Sequence, residues 1–214
     1  MLSVRYKLLL LLCLVAGPVQ AEWTGVGIDI ANFDSDWKFD SGVREAQITS
    51  ISFQIEEKFE PGLIAGGGIG YFDMRVRGDS TVDTQKFDGQ FLELYLHQPV
   101  AVSESITPYG RLGFRYYSGN ESGATESADI DWTEVDLQLG VGVQFSHLRI
   151  TPFVAYYNID GDISDDINTG DFENDDSVSQ GVSFDYFVDD SAYIRVEARS
   201  GYQEGGYLSF ARRY

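Results

Sequence analysis

The sequence predicts an all-β protein: a closed antiparallel up-and-down transmembrane β-barrel of about ten strands, with eight as the alternative. Three observations carry this. Apolar and polar side chains alternate with a period of two along most of the chain, which gives an extended strand one apolar and one polar face. Long polar connections take turns with short ones, as long loops at one rim and tight turns at the other require. No run of 18 or more apolar residues follows residue 21, which excludes a bundle of membrane helices.

The N-terminus stands apart from this pattern. Arg5 and Lys7 precede an unbroken apolar stretch from Leu8 to Val15, and Val19-Gln20-Ala21 ends it as a small-x-small cleavage site. Residues 1–21 therefore read as a secretory signal, too short to span a bilayer, and residues 22–214 as the barrel. Cys13 lies inside the leucine run rather than after small residues, which argues against lipidation. It is also the only cysteine, so the mature chain is expected to hold no disulfide in an oxidising compartment.

Loss of Arg5 and Lys7, from a stretch that contains no acid, takes the net charge from −19 to −21. Such acidity repels phosphate backbones, so nucleic acid is excluded as a partner. Divalent cations are compatible with it. No cofactor is expected.

Thr133 to Phe145 is the clearest strand. Val135, Leu137, Leu139, Val141, Val143 and Phe145 face one way, and Glu134, Asp136, Gln138, Gly140, Gly142 and Gln144 face the other. A helix would mix the two sets on every side. The same alternation runs through Val26 to Ile30, Ile51 to Ile55, Gly70 to Val76, Leu92 to Leu96 and Leu112 to Tyr116. It returns in Pro152 to Tyr156, Val182 to Val188, Ile194 to Ala198 and Tyr207 to Phe210, which makes ten. Segments 34–44, 78–86, 118–130 and 159–177 read as long polar loops, whereas Lys58 to Gly62, Ser146 to Arg149 and Asp189 to Ser191 read as short turns. Only 98–106 breaks the order. Trp23, Tyr109, Phe114, Tyr116, Trp132, Tyr156 and Tyr186 fall near strand ends, where interfacial girdles belong.

The chain ends on Gln203-x-Gly205-x-x-Leu208-x-Phe210, followed after Ala211-Arg212-Arg213 by the aromatic Tyr214. This is similar to the polar-x-Gly-x-x-apolar-x-aromatic signal of outer-membrane proteins, in which the aromatic is usually the last residue. With the signal peptide, the cysteine-free mature chain and the alternating strands, residues 22–214 resemble the small bacterial outer-membrane β-barrel proteins, the OmpA-type transmembrane domain and the OmpX-like group. The resemblance implies a porin-like barrel in a Gram-negative outer membrane, surrounded by lipid and lipopolysaccharide. It further implies that Gly205, Leu208, Phe210 and Tyr214 are read by the barrel assembly machinery. It attaches no activity and leaves the oligomeric state open.

On the inward face the alternation is expected to place Asp73, Arg75, Glu93, Arg111, Arg115, Glu134, Asp136, Asp185, Arg195, Glu197 and Arg199. A turn centred on Val102 sets Glu93 opposite Arg111, and a modest register choice sets Arg115 beside Glu134. An isolated ion in a narrow lumen is costly, so these charges are expected to pair and plug the barrel. The alternative is a narrow channel or small-solute binder using Glu93, Arg111, Arg115, Glu134 and Asp136.

Asp160, Asp162, Asp165 and Asp166, in the acidic stretch from Asn158 to Ser177, are candidate ligands for a weak divalent site. The EF-hand pattern fails there, because the sixth position from Asp160 is Asp165 rather than glycine. A solvated acidic loop explains the same residues. Gly66-Gly67-Gly68 lacks the Lys-Ser/Thr of a phosphate loop and reads as strand glycine. His97 and His147 fall at short-turn strand ends, far from the outer-loop acids, so no catalytic residue is expected. Omptins and the lipid A palmitoyltransferases and deacylases carry their sites in the outer half, where this sequence offers no histidine. The reading is a structural or surface-interaction barrel. An outer-rim enzyme and a soluble lipophile-binding barrel are the remaining rivals.

Overall fold

The computed structural model describes residues 21–39, 42–77, 84–122, 128–164 and 169–214; of the expected signal 1–21, residues 1–20 lie outside them. Eleven strands follow one another: β1 (Ala21–Phe39), β2 (Gly42–Phe59), β3 (Ile64–Arg77), β4 (Thr84–Pro99), β5 (Ile106–Glu121), β6 (Asp129–Phe145), β7 (Leu148–Ser164), β8 (Thr169–Asn174), β9 (Val178–Phe187), β10 (Ala192–Gly201) and β11 (Gln203–Arg213). All but β8 form a ring of antiparallel neighbours. β1 closes it by pairing with β11 from Gly25↔Arg213 to Ser35↔Gln203. Closure gives each of the ten ring strands a neighbour on both sides among the described residues, which removes the open edges of a flat sheet.

Alternation decides which side chains meet the outside. Ile28, Phe53, Ile69, Leu92 and Tyr116 lie in one register row across five strands, and all point outward and stand exposed. Leu112, Phe114, Val135, Leu137, Leu139, Val154, Tyr156, Phe184, Tyr186, Val196 and Phe210 continue this apolar belt around the ring. On the opposite face of the same strands, Asp29, Ser52, Gln54, Glu93, Glu134, Asp136, Gln138, Ser183, Asp185 and Glu197 are buried. Within the belt the protein is apolar outside and polar inside, the inverse of a water-soluble barrel.

Towards the end opposite the short turns, this polarity reverses. Trp37, Phe72, Met74, Val76, Phe87, Ile130, Trp132 and Phe172 form a buried apolar cluster inside the ring. The outward positions beside them are Asp73, Arg75, Asp160, Asp162 and Asp171. Of the long polar connections expected over 34–44, 118–130 and 159–177, residues 40–41, 123–127 and 165–168 lie outside the described residues, and most of the described ones are strand. β1 runs to Phe39, β5 to Glu121 and β7 to Ser164, and β8 occupies Thr169–Asn174. Averaged polarity hides such a strand, because one face meets water while the other keeps its apolar side chains. Of 78–86, residues 78–83 lie outside the described residues.

β8 fills a gap left by unequal strand lengths. β9 and β10 have 10 residues each and β11 has 11, against 17 in β7 and 19 in β1. β7 pairs with β9 only from Leu148↔Tyr186 to Tyr156↔Val178, then with β8 from Asp160↔Glu173 to Ser164↔Thr169. On its other side β8 pairs with β1 from Trp37↔Asn174 to Phe39↔Phe172. The barrel thus has ten strands around the belt and eight around its far end.

Candidate functional site

Three layers fill the lumen. The far layer is aromatic. Trp37 stacks on Phe172 at 4.6 Å, Tyr117 stacks on Trp132 at 4.2 Å, and the two tryptophans meet edge-on at 5.3 Å. Phe72 lies edge-on to Trp132 at 5.1 Å. The tight connection after Gly201 tucks Tyr202 inward, where its hydroxyl accepts from Trp37 Nε1 at 3.2 Å.

Beneath it lies an ionic layer built by register. Glu93 of β4 sits opposite Arg115 of β5, and Arg115 opposite Glu134 of β6. Arg115 bridges Glu93 at 3.0 Å and Glu134; Arg111 bridges Glu93 at 2.6 Å and Asp136 at 2.8 Å. Their carboxylates are nearly inaccessible, so each acid depends on its guanidinium. Gln54 extends the net by donating to Glu93 at 2.8 Å, and Gln203 by donating to Glu134 at 3.2 Å. Arg199 donates to Glu197, Tyr157 and Gln203 at 2.5, 2.5 and 2.7 Å. Arg195 forms a two-armed bond with Asp185 at 2.6 and 3.0 Å, outside this net.

Of the charges expected inside, Glu93, Arg111, Arg115, Glu134, Asp136, Asp185, Arg195, Glu197 and Arg199 lie in the lumen, but the pairing differs. Glu93 is opposite Arg115, whereas Arg111 is opposite His97. The turn after Pro99 closes through Val102 N to Ile106 O at 3.1 Å, which centres it on Glu104 rather than Val102. Asp73 and Arg75 are corrections of another kind: they point outward, 4.0 Å apart, because Phe72 and Met74 take the inward positions of β3. Of the expected girdle, Phe114, Tyr116, Tyr156 and Tyr186 face outward, while Trp23, Tyr109 and Trp132 line or fill the lumen.

Sequence reasoning missed the glycines that make the net possible. Gly68 lies between Gln54 and Glu93 in the same row, and a Cβ there would sit 2.5 Å from Gln54 Cδ. Gly113 faces Asp136, whose carboxylate occupies the space a side chain would take. An inward glycine opposite a charged residue was the available signal.

Among the other candidates, Asp160 and Asp162 project outward from β7, and Asp165 and Asp166 lie outside the described residues. Asp162 is flanked in register by Asp131 and Asp171. Partial burial, then the carboxylates of Asp131, Asp171 and Asp160, push its carboxyl above the usual value. Among the described residues no group of three or more His, Cys, Asp or Glu side chains could hold a metal ion. Phe210 of β11 and Tyr214 just beyond it are exposed. Gly205 adopts φ 151°, and a Cβ there would strike the Asn32 carbonyl oxygen, so glycine is required. His97 packs on Tyr109 at 4.8 Å, and His147 lies in the β6–β7 turn.

The third part of the lumen is a cavity of about 410 Å³ that passes beside the ionic side chains: its wall runs from Trp37 and Phe91 past Glu93, Arg111, Arg115 and Glu134 to Trp23, Lys58, Pro99 and Arg213 near the short-turn strand ends.

No protein-family model matches the sequence, and no curated protein matches it. Solved structures do match in shape. The outer membrane protease OmpT from Escherichia coli aligns at a TM-score of 0.53 and 8% identity, over 93% of this chain and 96% of that one. An outer membrane channel from Pseudomonas putida F1 aligns at 0.50 and 10%, over 93% and 97%. Outer membrane protein OprG from Pseudomonas aeruginosa aligns at 0.48 and 16%, over 91% and 97%. At these identities the likeness is one of fold. The first two likenesses, joined to a continuous outward apolar belt, decide the class. The chain is an outer-membrane β-barrel. In this barrel the belt is the surface that meets the hydrocarbon of the outer membrane, and the general rule for such barrels assigns short turns to the periplasmic side and the longer end to the outside.

Proposed function

We propose that this barrel is closed to ions and solutes and acts as a structural or surface-interaction protein, with its lumen plugged. The observation that carries the reading is the stack of two occluding layers. Aromatic rings span the far end, and bridged arginines and carboxylates span the middle from β2 to β11. Ten strands leave little lumen once side chains fill it, and charges held by each other are not free to pass ions. The plugged lumen offers no path for substrate, and both histidines lie on the periplasmic side, so the protein is read as no enzyme. Its partners in this reading are outer-membrane lipid and lipopolysaccharide, with divalent cations between lipid phosphates and the acidic outer surface. The barrel assembly machinery reads its last strand.

Planar-bilayer recording of the refolded barrel tests this directly. The expected result is no current above the bare bilayer. Discrete, reproducible conductance steps would overturn the plug and favour a narrow channel. A second reading, a small-solute binder, is favoured by one observation: the cavity lined in part by Glu93, Arg111, Arg115 and Glu134 is of a size to admit a small molecule.

A further inference from the structure

Near the short-turn strand ends three guanidiniums line the cavity, and one carboxylate serves them. Asp185 of β9 is flanked in register by Arg149 of β7 and Arg195 of β10. Arg195 takes it, through Nε at 2.6 Å and Nη2 at 3.0 Å. Arg149 turns instead to the Gln144 side chain, to which its Nε donates at 3.1 Å. Arg213 of β11 forms no ion pair among the described residues. Glu22 and Glu56, acids of the same mouth, are held by Lys58 at 2.5 Å and by the Tyr95 hydroxyl at 3.0 Å.

Aromatic rings fix the three cations side by side. The Arg149 guanidinium lies 5.0 Å from the Phe187 ring and that of Arg195 5.5 Å from the Tyr193 ring. Arg213 lies 5.2 Å from the same Tyr193 ring and 4.6 Å from Trp23. Phe187 and Tyr193 are themselves 5.9 Å apart, so the three groups share one shelf. Arg195 and Arg213 both repel the charge of Arg149 across it. The rings cover the flat faces and leave the in-plane N–H donors at the edges. Both Nη atoms of Arg149, both of Arg213 and Nη1 of Arg195 have no protein acceptor, and unlike Arg213 Nε none of them is buried. The Arg195 side chain keeps 34% of its surface, so water reaches the shelf.

Three positive charges against one negative leave an excess of two. Cations held together in a half-enclosed wall are costly without a counter-charge. Guanidinium forks match the oxygens of a phosphate, and several can close on one tetrahedral group. The chain carries −19, so its overall field repels anions and retention of one depends on these local charges. We propose that the shelf formed by Arg149, Arg195 and Arg213 binds a small phosphate dianion of the monoester type. This deepens the small-solute reading and rests on it.

Calorimetric titration of the refolded full barrel with methyl phosphate, dimethyl phosphate and succinate tests it. Methyl phosphate carries about two negative charges at neutral pH. Dimethyl phosphate carries one, as a lipid phosphodiester does, and succinate spreads two over its separate ends. Methyl phosphate should bind at millimolar concentrations, and the other two at least tenfold more weakly. Arg149→Gln and Arg213→Gln should each weaken methyl phosphate at least tenfold. Arg75→Gln, which removes a cation from the outer surface, should leave it unchanged. The boiling-dependent gel shift of each variant shows that it has folded. Undiminished binding in both shelf variants overturns the shelf as the site. Dimethyl phosphate or succinate binding at least as tightly as methyl phosphate overturns the phosphate dianion and keeps a solute site. Binding of none of the three overturns both.

Discussion

Arg115 holds two buried carboxylates, Glu93 and Glu134. Arg115→Ala leaves both without that guanidinium, and breaking a buried pair from one side costs about 3–5 kcal/mol. Equilibrium unfolding of the refolded barrel in urea should show a loss of that order. Arg115→Lys should recover only part of it, because one ammonium cannot reproduce a fork spread over two acids on neighbouring strands. At Gly113 the expected effect has a different cause. A methyl group there displaces the Asp136 carboxylate that Arg111 holds, and overpacking of this kind costs about 1–3 kcal/mol. Gly113→Ala should therefore lower the urea midpoint, and Asp136→Ala made in the same chain should not add its full cost, since the two changes act on one contact.

At the scale of elements, β8 is the shortest strand, and one buried side chain, Phe172, anchors it. Its six residues pair with β1 at only three positions, while Phe172 stacks on Trp37 and Gly161 admits the ring edge. Phe172→Ala removes the stack and leaves a hole in the outer cluster, a change worth about 3–5 kcal/mol in a packed core. The loss should stay local. Hydrogen exchange is expected to accelerate in β8 and the outer turns of β1 and β7, with the belt unchanged and the boiling-dependent gel shift intact. Asp162 gives the same region a dependence on pH. Its carboxyl titrates above the usual value, so its ionised form opposes folding. That opposition is full at neutral pH and is relieved as pH falls through the raised value. The outer cap should accordingly be more stable in mild acid than at neutral pH. Asp162→Asn should flatten that dependence in exchange rates measured across the range, and an unchanged slope would count against the Asp131–Asp162–Asp171 row as its source.

For the whole molecule, the even ring of strands and the direction of the belt were legible because lipid imposes a single rule on outward residues, as in the run from Val135 to Val143. The rule fails where lipid ends. Phe72 and Met74 look like belt residues in the sequence, yet they face inward, because beyond the membrane the outside is wet and the inside must be dry. The same reversal disguised β8, whose sequence Thr-Gly-Asp-Phe-Glu-Asn has a single large apolar residue. Charge pairing was legible in kind but not in register, since a six-residue turn between Pro99 and Ile106 allows several centres. The change from ten strands to eight also bears on the order of assembly. The outer ring is closed by β1, β7 and β8, so all of its strands have been made once Asn174 is reached. The membrane ring must wait for β11, the last strand of the chain. Outer cap and membrane seam are thus separate closing events, the first independent of the C-terminal signal. Pulse-labelled exchange during refolding should find the amides of β8 protected no later than those of β11; protection of β11 first would show that the seam organises the cap.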